Sequence, residues 1–137
     1  MKKIILLPLL PLYLSVTAQT GNDAFPFPAT GDIVITEIMA DPTPSRGLPE
    51  REYLEIFNRS SDTLGLKGIM LIADKDTAYL SDGLIAPGEW IILCSTGSRT
   101  YLLPFGRVMA VKSFPTLNDA GELISLRTPD GSLIHSV

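Results

Sequence analysis

His135 is the only histidine and Cys94 the only cysteine among 137 residues, and together they bound the chemistry open to this chain. Nucleophilic catalysis by serine or cysteine usually needs a base, so such a site has to recruit His135. His135 alternates with Leu133 and Val137 and reads as a partly buried strand residue; a Cys94–His135 dyad is the competing reading, left open by spacing. Cys94 closes the apolar run Trp90-Ile91-Ile92-Leu93-Cys94, has no basic or helix-end neighbour to activate it, and reads as buried and structural. One His and one Cys cannot complete a usual structural zinc site. Neither a Gly-rich phosphate cradle nor Gly-x-Ser-x-Gly occurs. No catalytic, cofactor-binding or metal-ligating residue is assigned, no cofactor is expected, and the chain reads as a non-enzyme.

The carboxylates are the one lead toward a ligand. Glu37, Asp41, Glu50, Glu52 and Glu55 fall on two expected strands and the loop joining them. If those strands pair, several acids gather near residues 41–51, and calcium takes six to eight oxygen ligands of this kind. The competing reading is a solvated sheet edge, neutralised in place by Arg46 and Arg51, whose charges resist edge-to-edge aggregation. Asn58-Arg59-Ser60 fits the glycosylation pattern, although Asn58 reads better as an Asx-type strand end. Tyr53, Phe57, Trp90 and Tyr101 make a contact platform only if exposed together. Trp90 opens the most apolar strand and is assigned to the core, which leaves Tyr53 and Phe57 as the better contact residues.

The elements that must position these groups are short strands. Residues 33–40 form a β-branched run closed by Asp41-Pro42-Thr43-Pro44, where two prolines end pairing. Residues 53–58 alternate, with Leu54 and Ile56 on one face and Tyr53, Glu55 and Phe57 on the other. Further strands are expected over 63–66, 69–73, 77–80, 90–94, 108–114, 122–127 and 133–137, with one helical turn over 98–103 before Pro104. Pro87-Gly88 suits a type II turn, fixed φ followed by positive φ. About eight short strands with turns between them, and no crossover helix of a dozen residues, specify an antiparallel sandwich or barrel. Ile35, Leu54, Ile56, Ile91, Leu93, Ile124 and Leu126 are expected to share one core.

The first 18 residues read as an address. Lys2 and Lys3 precede an apolar stretch from Ile4 to Leu14 and then Val16-Thr17-Ala18, the layout of a secretory signal peptide cleaved before Gln19. A membrane anchor needs about 20 unbroken apolar residues, and Pro8 and Pro11 interrupt a shorter run. No cysteine follows the run, which argues against a lipid anchor. Residues 19–31, with Gly21, Pro26, Pro28 and Gly31, read as a linker, and residues 32–137 as the domain. Without Lys2 and Lys3 the chain keeps 9 basic and 15 acidic side chains, a formal charge of −6. That surface repels phosphate backbones, so nucleic acid is not an expected partner. Periplasm, outer surface and medium are all open as destinations.

Six motifs follow one another along the chain. The opening strand Asp32-Ile33-Val34-Ile35-Thr36-Glu37-Ile38-Met39-Ala40-Asp41-Pro42 is followed by Glu52-Tyr53-Leu54-Glu55-Ile56-Phe57-Asn58. Then come Leu66-Lys67-Gly68, Ile85-Ala86-Pro87-Gly88-Glu89-Trp90-Ile91-Ile92-Leu93, Leu117-Asn118-Asp119-Ala120-Gly121-Glu122 and Asp130-Gly131-Ser132-Leu133-Ile134-His135-Ser136-Val137. In this order they resemble bacterial lamin-tail domains, and the Asp-Pro-Thr-Pro variant is similar to secreted members from Bacteroidetes. The resemblance covers residues 32–137 and implies an immunoglobulin-like sandwich that attaches to a protein or cell-surface partner. A calcium-stabilised adhesion domain and the accessory part of a larger secreted hydrolase are the alternatives. Ile69 stands where the family commonly has tryptophan, and His135 where it often has an acid. The family also continues past the Ser-Val step, so the final strand here is expected to leave an open edge, whether as a trimmed member or as part of a longer product.

Overall fold

The computed structural model describes residues 25–45 and 47–137. The expected signal peptide and the first part of the expected linker lie outside the described residues. Ten strands form two four-stranded sheets and one small pair. In the first sheet the order is β1 (Ile33–Met39), β2 (Tyr53–Asn58), β7 (Trp90–Ser95) and β8 (Val108–Val111). In the second it is β10 (Leu133–Ser136), β9 (Ile124–Arg127), β4 (Met70–Ala73) and β5 (Asp76–Tyr79). β3 (Leu64–Gly65) pairs with β6 (Leu84–Ile85). The architecture is the expected immunoglobulin-like β-sandwich, with about ten strands rather than eight. Two residues are too few to display an alternation, so β6 carries no sequence signature of its own.

One pairing departs from an all-antiparallel sandwich. β8 runs parallel to β7, with Ile92 opposite Val108 and Ser95 opposite Val111. A parallel pair needs a crossover, and the chain supplies one through helix α1 (Arg99–Leu102) and a 3-10 turn at Leu103–Phe105. The expected helical turn before Pro104 is therefore part of the connection that carries the chain back, so that β8 starts beside Ile92 and runs the same way as β7. β8 also stops earlier than expected: Ser113 takes φ +58, Phe114 N–H turns back to the Val111 carbonyl, and Pro115 follows.

Alternation delivers the core. Ile33, Ile35, Leu54, Ile56, Ile91, Leu93, Ile124 and Leu126 all lie in one buried cluster between the sheets, so the seven expected core residues do meet. Ile69 is buried in the same cluster and fills the place where a tryptophan is usual. The turn at Pro87-Gly88 forms as read: Gly88 has φ +71, and Glu89 N–H closes on the Ala86 carbonyl. Burial works to raise the Glu89 carboxyl, but Ala86 N–H and the Arg107 guanidinium outweigh it and hold it below the ordinary carboxylate range.

The two sheets are joined along β1 and β10. Gly31 N–H donates to the Ile134 carbonyl at 2.8 Å, and Thr30 Oγ1 donates to the Leu133 carbonyl. Val137 and Ile124 exchange both backbone hydrogen bonds at 3.0 Å. Val137 is thus paired with Ile124, and β10, the outer strand of its sheet, meets β1 on the other side through the Thr30 and Gly31 bonds and not through a strand ladder. Residues 25–31, assigned by composition to the linker, are held on the sandwich by these bonds and by Gly65 N–H on the Pro26 carbonyl.

His135 completes this joint. Its Nδ1 accepts the Ile35 N–H at 3.2 Å, at the point where a β-bulge shifts the β1 register between Ile35 and Glu37. A side chain here stands in for a strand. His135→Leu strands that part-buried donor and should cost about 1–3 kcal/mol in urea unfolding. Asparagine carries Oδ1 the same number of bonds from the backbone as Nδ1, so His135→Asn should recover most of the loss. Equal stabilities for the two variants would show that the bond contributes nothing.

Candidate functional site

The face of the first sheet turned away from the core carries the groups that the sequence singled out. Register places three rows across it: Val34, Phe57 and Trp90; Glu37, Glu55, Ile92 and Val108; Met39, Tyr53, Cys94 and Ala110. Helix α1 and the 40s loop cover the last row. Tyr53, Ile92, Cys94 and Leu102 form a second, smaller buried cluster, with Met39, Leu48 and Val108 packed against it. Tyr53 is therefore a core residue on the outer face, which corrects its assignment to a contact patch. The first row is left uncovered by the described residues.

At the boundary between covered and uncovered rows sit Glu37 and Glu55, opposite each other on neighbouring strands. Each carboxylate has its own hydroxyl donor: Tyr53 OH donates to Glu37 Oε1 at 2.8 Å, and Thr36 Oγ1 to Glu55 Oε1 at 2.7 Å. Burial, the hydrogen bond to Glu37 and the nearby negative charge push the Tyr53 phenol up to about 12. A raised tyrosine favours the neutral folded form. Its contribution is fully present below the unfolded tyrosine's ordinary value of about 10 and disappears as pH rises through the folded value. Ultraviolet titration should show one phenol ionising late, and Tyr53→Phe should remove that phase alone. A single phase in the parent would contradict the buried hydrogen bond.

The other acids are used separately. Asp41 Oδ1 accepts from the backbone N–H and hydroxyl of Thr43, fastening its own turn. Glu52 Oε2 accepts Leu117 N–H at 3.3 Å, tying the loop to a distant segment. Glu50 is exposed, and its carbonyl accepts from Arg51. The five acids thus do not converge; among the described residues no three His, Cys, Asp or Glu side chains gather where they could hold a metal ion. Arg51 lies over the Tyr101 ring, 4.3 Å from its centre, instead of beside an acid. Arg46 lies outside the described residues.

Cys94 and His135 belong to different sheets, and His135 Nδ1 is engaged by Ile35. Burial pushes the Cys94 thiol up, against a smaller opposing effect of Arg99, so the thiolate is disfavoured. Asn58 is fully buried at the end of β2. Its Nδ2 donates to the carbonyls of Asp62 and Ile85, and its Oδ1 accepts from the backbone N–H and hydroxyl of Ser60. The expected Asx turn is present, and the same side chain also reaches β6.

Trp90 reverses its sequence assignment. It is 52% exposed and packs on Phe57 with ring centroids 4.3 Å apart and planes tilted by 31°. Strand parity held the signal, because Trp90 alternates with the core residues Ile91 and Leu93. The cover over Ile92 and Cys94 does not extend to it. Tyr101, also exposed, sits on α1, so the four aromatics do not make a single platform.

A family model described as Lamin Tail Domain matches residues 26–137, nearly the whole described sandwich. The chain belongs to that family. No curated protein sequence matches it. Lamin tail domains are immunoglobulin-like, non-catalytic domains that mediate interactions. The polar side chains of this lamin tail domain fit that character, since Asn58, Glu37, Glu52 and Asp41 each serve the framework.

Proposed function

We propose that this lamin tail domain is an exported attachment module that holds a protein partner or a neighbouring domain. The family match across residues 26–137 carries the reading. The exposed Phe57–Trp90 pair supports it, because aromatic surface of this kind is enriched at protein interfaces. Export to the periplasm, outer surface or medium follows from the signal-peptide pattern, and a Bacteroidetes source from the Asp41-Pro42-Thr43-Pro44 variant. No helix among the described residues is long and apolar enough to cross a membrane.

The test is direct. Mature chain, collected after export, should begin at Gln19 by N-terminal mass analysis and bind saturably to protein from the envelope of the producing cell. Protease treatment of that fraction should abolish binding, and calcium should leave the melting temperature unchanged. An intact Met1 would refute export by this signal. Absence of saturable binding would refute the attachment role, and a calcium-dependent rise in melting would favour the adhesion alternative.

A further inference from the structure

We propose that β8 is the docking edge of this domain, and that its occupant is an extended apolar strand of a partner protein carrying an acid at its end. This rests on the attachment reading and names the surface and the chemistry of the partner. Two sheets have four outer edges. β1 and β10 are turned toward one another, linked by the Ile35–His135 bond and by Thr30 and Gly31 just ahead of β1, which leaves β5 and β8 as the other two.

Backbone valence identifies what is vacant. Ile92 N–H donates to the Arg107 carbonyl at 2.8 Å, so in the parallel ladder Arg107, Met109 and Val111 turn their groups toward β7. Val108 and Ala110 then aim both N–H and C=O outward. Leu80 N–H donates to Ile69, and the same alternation turns Thr77 and Tyr79 of β5 outward. The two edges differ in composition. β5 opens with Asp76 and Thr77 after Lys75, polar residues that blunt an edge. Val108-Met109-Ala110-Val111 has no charge and no proline within it, and past its end a trough of about 330 Å³ between Lys112-Ser113 and β5 is lined by Thr77, Ala78, Tyr79, Lys112 and Ser113.

Unpaired donors and acceptors on an apolar strand are matched by another strand. Charge selects which strand. Arg107 and Lys112 flank β8; Arg107 is paired with Glu89, and Lys112 has no carboxylate partner among the described residues. A second copy in antiparallel pairing would bring Arg107 to Lys112 with its Glu89 already engaged, and so offers Lys112 no free carboxylate. An acid-ended strand offers the complement.

The experiment titrates the full mature chain with a fluorescent peptide of alternating valine and threonine ending in glutamate at both ends. The parent should bind it saturably. Ala110→Pro removes one outward N–H while sparing the β7 ladder, and should weaken binding about tenfold or more at unchanged melting temperature. Lys112→Glu should reverse preference toward a lysine-ended peptide, and this variant decides the matter if Ala110→Pro fails to fold. Equal peptide binding by parent and Ala110→Pro, or none by the parent, overturns the proposal. So does a concentration-dependent dimer abolished by Ala110→Pro, which would make a second copy the occupant. If envelope protein binds the parent and Ala110→Pro alike, the edge is wrong and the attachment role stands; if it does not bind the parent, the attachment role itself fails.

Discussion

Asn58→Leu is expected to be among the most damaging single substitutions in this domain, lowering unfolding free energy by about 3–5 kcal/mol. Leucine keeps the four side-chain heavy atoms and the Cγ branch of asparagine with somewhat more bulk, so no cavity enters the comparison. What is lost is a knot of four side-chain hydrogen bonds at a position with no exposed surface. The Ile85 carbonyl and Ser60 N–H lose their partner, and each buried unsatisfied group costs about 1–3 kcal/mol. The same residue also exchanges backbone bonds with the turn before β7: its N–H donates to Glu89, and its carbonyl accepts from Gly88. Loss of the side chain should therefore loosen β6 and the entry to β7 together.

Asn58→Asp gives a sharper signature. A carboxylate can accept from Ser60 but cannot donate to the carbonyls of Asp62 and Ile85, and its charge would be buried against their oxygens. Folding then favours the protonated acid, which raises its folded pKa above the unfolded value. The deficit relative to the parent should be small below the unfolded aspartate range and grow as pH rises through it. Urea unfolding at acidic and neutral pH checks this. A pH-independent deficit, or one below about 1 kcal/mol for Asn58→Leu, would mean that Asn58 does not hold β6 in place.

Leu54→Ala is the second large effect, with an expected loss of about 2–5 kcal/mol. Leu54 is fully buried, opposite Ile38 on β1 and Leu93 on β7, at the middle of the first sheet. Sheets flank it on both sides of the core, so the surroundings have little freedom to collapse into the space that the missing carbons leave. A domain with total stability of about 5–15 kcal/mol can lose a large fraction to this one change. Equilibrium unfolding measures it. A loss below about half a kcal/mol would place Leu54 at the surface and overturn the β2 register, because a one-residue slip moves every side chain to the other face.

These two residues mark where sequence reading succeeds and where it stops. Leu54 was legible because alternation is local: Leu54 and Ile56 share a face in any strand, and an apolar face seeks the core. Asn58 was legible as a strand end, since an Asx turn uses only neighbours. Its bond to Ile85 spans 27 positions and has no local signature. Trp90 shows the same division. Its parity opposite Ile91 and Leu93 was readable, but whether the outer face is covered depends on where α1 comes to rest.

By itself, then, the sequence determined most of the strands, their inward faces, the turn at Pro87-Gly88, and the poverty of catalytic groups, all properties of residues within a few positions of one another. Tertiary structure alone decided which edges pair. It set His135 as a side-chain acceptor for Ile35, made β8 parallel to β7, and gave four of five acids that lie close in sequence, Glu37, Asp41, Glu52 and Glu55, separate partners. Pairing and cover join segments far apart along the chain, and neither composition nor period encodes which of several compatible edges will meet.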